Sequence, residues 1–157
     1  MSVSRSNPVA TGIATVPKEA TMSRIEELAI ERGELVLTRW ADSQPGAFDA
    51  DSDDALIYLT PIIGACQTIA LHHMARLVTT LPEPAICILN VPGFAQALGL
   101  STAIGPNAKI IKVFGRLERF GFIRHSGTVE VRTTIPPLAR RHVERMPDYL
   151  RATAPSV

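Results

Sequence analysis

Apolar residues first settle into a helical rhythm after Ser23, where Ile25, Leu28 and Ala29 follow the pattern Ser23-x-x-Glu26. In that pattern the hydroxyl and the carboxylate each satisfy a free amide, which predicts a helix start. Gly33 marks its end, and the run from Leu35 to Trp40 fits either a continuation or a strand. Ser, Pro, Gly and Asp between Ala41 and Asp54 predict a loop. Thr60-Pro61 then has the form of a capped helix start. Ile63, Cys66, Ala70, Met74 and Leu77 recur at three- and four-residue steps, and Ile62, Ile69 and Leu71 widen the stripe, so a long central core helix is expected. Pro82 and Pro84 end it, and Ala85 to Leu89 reads as a short buried strand. A helix of about two turns from Pro92 to Leu98 follows, opened by Asn90 and closed by Gly99.

The most polarised segment runs from Asn107, read as a helix cap, to Phe120, with Gly121 as the stop. At 100° per residue, Val113, Leu117, Ile110 and Phe114 form one apolar stripe, while Lys109, Lys112, Arg116 and Arg119 share an arc of about 80°. Like charges in neighbouring turns repel, so an unpaired cationic stripe points to an anionic partner. Ala108 and Gly115 border it. A mid-helix glycine costs about 1 kcal/mol relative to alanine, which either close approach to a phosphate backbone or tight packing would justify.

Phe122 to Thr133 alternates around Ser126-Gly127 and predicts a hairpin. Val129 and Val131 fall on one face and Thr128, Glu130 and Arg132 on the other, leaving Arg124, His125 and Arg132 free to reach outward. Pro136-Pro137-Leu138 opens a last basic segment with Arg140, Arg141 and Arg145, expected to pack back through Leu138, Val143 and Leu150.

Charge changes the picture once it is divided along the chain. Of 157 residues with a formal net charge of +1, the first sixty hold five Lys/Arg against ten Asp/Glu, a net of −5. From Ser101 onward ten Lys/Arg face four Asp/Glu, a net of +6. A polyanion would dock on that last third.

Other chemistries find little support. Asp49-x-Asp51-x-Asp53 lacks the glycine and the final glutamate of a calcium loop, because Asp54 and Thr60 occupy those positions. Cys66 and Cys87 are not paired as metal or redox motifs require, and His72 and His73 read as residues at a helix boundary, so no metal and no cofactor is expected. No phosphate loop ending in Lys-Ser/Thr and no Gly-x-Ser-x-Gly elbow is present, so no enzyme is expected. The longest apolar stretch is too short to span a bilayer, and the start lacks a signal-peptide core, which makes the cytoplasm the expected address.

The order core helix, short strand, short helix, basic helix and hairpin resembles the winged helix-turn-helix family of DNA-binding domains. The phrase Arg116-Leu-Glu-Arg-Phe-Gly-Phe-Ile123 is similar to its helix-to-wing junction. Leu59 to Gly64 and Pro136 to Leu138 also resemble segments of small actinobacterial and phage proteins. The resemblance implies a mainly α fold with a small β-hairpin, a winged helix-turn-helix with extra N- and C-terminal helices. It divides the chain into a disordered tail at 1–22 and a single domain at 23–157: an acidic lead-in at 23–59, a winged-helix core at 60–135 and a C-terminal basic helix at 136–152. By resemblance, Pro92 to Leu98 is the positioning helix, Asn107 to Phe120 the recognition helix and Phe122 to Thr134 the wing. The expected function is regulatory binding of double-stranded DNA through Lys109, Lys112, Arg116, Arg119, Arg124, His125 and Arg132, with a homodimer possible through Ser23 to Trp40. The competing expectation is a winged-helix module that captures a protein instead.

Overall fold

The computed structural model describes residues 22–40, 42, 44–82 and 86–155. The tail expected at 1–22 therefore lies outside the described residues, apart from Met22, which packs partly buried against the core. Helix α1 (Arg24–Arg32) opens as the sequence predicts. The Glu26 amide donates to Ser23 Oγ at 3.1 Å and the Ser23 amide to Glu26 Oε1 at 3.0 Å, while Gly33 ends the helix at φ 67°. Strand β1 (Glu34–Trp40) resolves the ambiguous run. Leu35 and Leu37 are buried while Val36 and Thr38 are only partly so, the period of two that a sheet covered on one face requires.

The remaining elements are β2 (Phe48–Asp49), α2 (Asp53–Ile63), α3 (Ala65–Thr79), β3 (Ile86–Asn90), α4 (Val91–Ala97), α5 (Lys109–Arg119), β4 (Ile123–Ser126), β5 (Thr128–Arg132), β6 (Thr134–Ile135), α6 (Arg140–Glu144) and α7 (Asp148–Arg151). Strands β3, β1, β5 and β4 form one sheet in that order, and β2 pairs with β6 in a second. Strand β1 runs antiparallel to β3 and parallel to β5.

This topology corrects the expected fold class. The chain is mixed α/β, not mainly α with a small hairpin, because β1 inserts between β3 and the hairpin β4–β5. The stretch expected to be a lead-in supplies the middle of the sheet. Its apolar side chains Ile25, Leu28, Ala29, Leu35 and Leu37 belong to the chain's own core.

The long central helix is also two helices. Helix α2 begins earlier than expected, at the Ser52 cap, and Thr60-Pro61 falls in its last turns, where Thr60 Oγ1 donates to the Leu56 carbonyl instead of capping a new helix. Pro61 has no amide to donate to the Ile57 carbonyl, and Gly64, at φ 96° and ψ 154°, breaks the chain of turns before α3. Helix α3 buries Ala70, Leu71, Met74, Ala75 and Val78 against the sheet. Helices α1, α3 and α5 all pack against the face that carries Leu35, Leu37, Val129, Val131 and Ile123. The opposite face, with Val36, Ile86 and Ile88, is not covered by any described helix.

The last segment packs back as expected. Leu138 and Met146 are buried, Val143 and Leu150 lie partly buried against the core, and Tyr58 Oη and Thr153 Oγ1 are 2.6 Å apart. Two of its arginines pair locally, Arg140 with Glu144 and Arg151 with Asp148. Among the described residues no helix is long and apolar enough to cross a membrane.

Candidate nucleic-acid interface

Helix α5 is held on two sides. Ile110, Ile111, Val113, Phe114, Gly115 and Leu117 are all buried, so packing covers about 200° of its circumference, from Val113 round to Gly115. Phe114 stacks on Phe94 of α4, ring centroids 6.1 Å apart and planes 14° from parallel. On the other side α5 meets α1. Only the arc carrying Lys109, Lys112, Arg116 and Arg119 is left to solvent, and all four are exposed. Among the described residues no carboxylate lies within ion-pair distance of any of them.

The start of α5 differs from the sequence reading. Ala108, not Asn107, is the flanking residue, so the helix has no side-chain cap and no acidic residue in its first turn. Ile110 and Ile111 of that turn are fully buried, so its positive end is presented to solvent through Lys109 and Lys112.

Gly115 faces inward. A β-carbon there would lie 2.7 Å from Glu26 Oε2, the residue that closes the capping box of α1. Tight packing therefore accounts for this glycine, and close approach to a phosphate does not. A Gly115→Leu variant is expected to lose about 2 kcal/mol of stability, since overpacking costs about 1–3 kcal/mol and the side chain would displace Glu26. Urea denaturation checks this; an unchanged midpoint would contradict the packing.

No family model, curated protein or solved structure matches this chain.

The hairpin residues divide. Alternation along β4 and β5 puts Arg124 and Arg132 on the sheet face opposite the one α5 packs against, and both are engaged there. Each guanidinium lies 3.9 Å from the Trp40 ring centroid. Arg124 also pairs with Glu130. Arg132 pairs with Asp42 at 3.1 Å and donates to the Gly121 carbonyl at 2.8 Å, with its side chain only 14% exposed. These two arginines brace the hairpin against β1 and are not placed beside the α5 stripe. His125 shares the register of buried Val129, falls on the helix-bearing side, and is exposed near the hairpin tip. The turn itself is tight: Ser126 pairs with Thr128 around Gly127 at φ 78°.

Other groups are structural. His73 rests 6.1 Å from Phe94, centroid to centroid, and burial pushes the Cys87 thiol above its usual range. Burial and the flanking Arg141 and Arg145 hold His142 below its usual range, which leaves it neutral at physiological pH.

One feature at the end of α5 escapes sequence reading. Arg116, Arg119 and Phe120 face Ile62, Ile63 and Gly64 across an open groove of about 500 Å³. Its far wall exists only because Gly64 breaks the helix that periodicity reads as continuous.

Proposed function

We propose that this protein binds double-stranded DNA as a regulatory factor, with the exposed edge of α5 laid along the duplex. One observation carries the reading: Lys109, Lys112, Arg116 and Arg119 project together into solvent from a helix otherwise fixed in the core, with no described carboxylate to neutralise them. The first turn holds no acidic residue, so the positive end of the helix adds to the charge of Lys109, and side-chain contacts to phosphate position proteins on DNA. His125 flanks this surface; Arg124 and Arg132 support the hairpin and are withdrawn from the contact set. Base edges in the major groove are within the repertoire of such lysine and arginine side chains, which gives the regulatory role its means of choosing sites.

Fluorescence anisotropy on a labelled duplex at several salt concentrations tests this. Four neutralised phosphates predict a log–log slope of affinity against salt of roughly −3.6. A flat response, or no binding at low salt, would refute the proposal and leave the stripe as a surface for an acidic protein.

A further inference from the structure

The groove at the end of α5 is chemically lopsided. On one side Arg116 and Arg119 sit three residues apart, a spacing that brings side chains in neighbouring turns together, and neither has a carboxylate partner among the described residues. On the other side are Ile62 and Ile63, and Phe120 lies 47% exposed at the rim. Among the described residues no acidic side chain lines it. Gly64, at φ 96°, lines it with backbone alone.

Two positive charges beside an apolar wall and an open aromatic ring match one kind of small molecule. A lone phosphate would satisfy the arginines and leave Phe120 and Ile62 wet; a neutral hydrocarbon would cover the wall and strip water from the arginines without replacing it. A planar aromatic carboxylate does both, its carboxylate taken by the guanidinium forks and its ring offset-stacked on Phe120. The space, about 500 Å³, is in the range of small-molecule sites and admits a fused bicyclic acid.

We infer that this groove binds an aromatic carboxylate and that its occupation competes with DNA for Arg116 and Arg119. The second half rests on the DNA-binding reading above; the first half does not. Bound acid occupies two of the four cationic side chains of the stripe and cancels one of its four charges, so the groove is a point at which a metabolite releases the protein from DNA.

The test titrates 1-naphthoate, 1-naphthamide and inorganic phosphate into isotopically labelled protein without DNA, following the amides of Gly64, Arg116, Arg119 and Phe120. Saturable shifts at these residues with naphthoate are expected, with affinity at least tenfold weaker for the amide and for phosphate. Phe120→Ala, which removes an exposed ring and keeps both arginines, is expected to weaken naphthoate about tenfold, and Arg119→Gln likewise. Equal binding of the neutral amide, equal binding of phosphate, or shifts elsewhere would overturn the assignment. A second titration measures duplex affinity with naphthoate against the same concentration of chloride. Weakened DNA binding in the native protein and a smaller effect in Phe120→Ala support the competition, and an unchanged affinity overturns it. Naphthoate bound in the groove of a protein that binds no duplex would refute the DNA-binding proposal and the competition, and would leave the ligand site standing.

Discussion

Replacing Lys112 and Arg116 together by alanine is expected to weaken duplex binding about a hundredfold while leaving the protein folded. A charge-assisted hydrogen bond to phosphate contributes about 1.5 kcal/mol, so two contribute about 3 kcal/mol, and each 1.4 kcal/mol is tenfold in affinity. Both side chains are exposed and take part in no described ion pair, so the fold loses nothing by their removal. Relief of their mutual repulsion, four residues apart on one helix, offsets even the small cost of a surface change. The salt slope should fall with the contacts, from roughly −3.6 to roughly −1.8. Anisotropy at two salt concentrations and a thermal melt on the same sample give both quantities. A lowered melting point with an unchanged slope would mean that the pair is structural.

Phe114→Ala carries the largest expected loss of stability. Phe114 is fully buried, faces the ring of Phe94, and anchors the helix whose outer edge is the candidate interface. Truncating a buried phenylalanine costs about 3–5 kcal/mol, against a total stability of about 5–15 kcal/mol for most domains. For a chain of this size a loss of about 4 kcal/mol lowers the melting temperature by about 12 °C. Phe114→Leu, which keeps most of the volume, should cost about 1 kcal/mol. If the alanine variant melted within a degree or two of the native protein, α5 would not be held as described, and its cations would have no fixed geometry to offer.

What the sequence reveals and what it hides follow from the range of the forces involved. The capping box at Ser23, the Asn90 cap, the Gly99 and Gly121 stops and the hairpin around Gly127 are all set by residues within a few positions of one another, and the structure places each where the pattern does. The two faces of α5 are legible for the same reason: a helix of eleven residues with alternating apolar and cationic arcs has one way to face a core. Leu35 to Trp40 is different. Its period fits a strand or a helix, and only its partners, β3 some fifty residues later and β5 some ninety residues later, decide between them. The fold class turned on that run, so the expected winged-helix arrangement fell with it.

The site shows the same division. Exposure of Lys109, Lys112, Arg116 and Arg119 is a local property of one helix. Whether Arg124 and Arg132 are free is not, because Trp40 and Asp42, which hold them, lie more than eighty residues earlier in the chain. Alternation along β5 places Arg132 opposite Val131, but nothing in that spacing says that a tryptophan waits there. Gly115 was open to two readings from sequence because the Glu26 carboxylate it meets belongs to α1, close to ninety residues earlier. The groove beside Phe120 was hidden by Pro61 and Gly64, which interrupt a hydrophobic stripe that otherwise runs unbroken.

A titration of isotopically labelled protein with duplex DNA, read residue by residue, tests the central claim most directly. Amide shifts and line broadening should concentrate on α5 from Lys109 to Arg119, with a weaker effect at His125, and fade as salt is raised. Changes confined to the open sheet face around Val36, Ile86 and Ile88, or no change at low salt, would contradict the assignment of α5 as the surface that meets DNA.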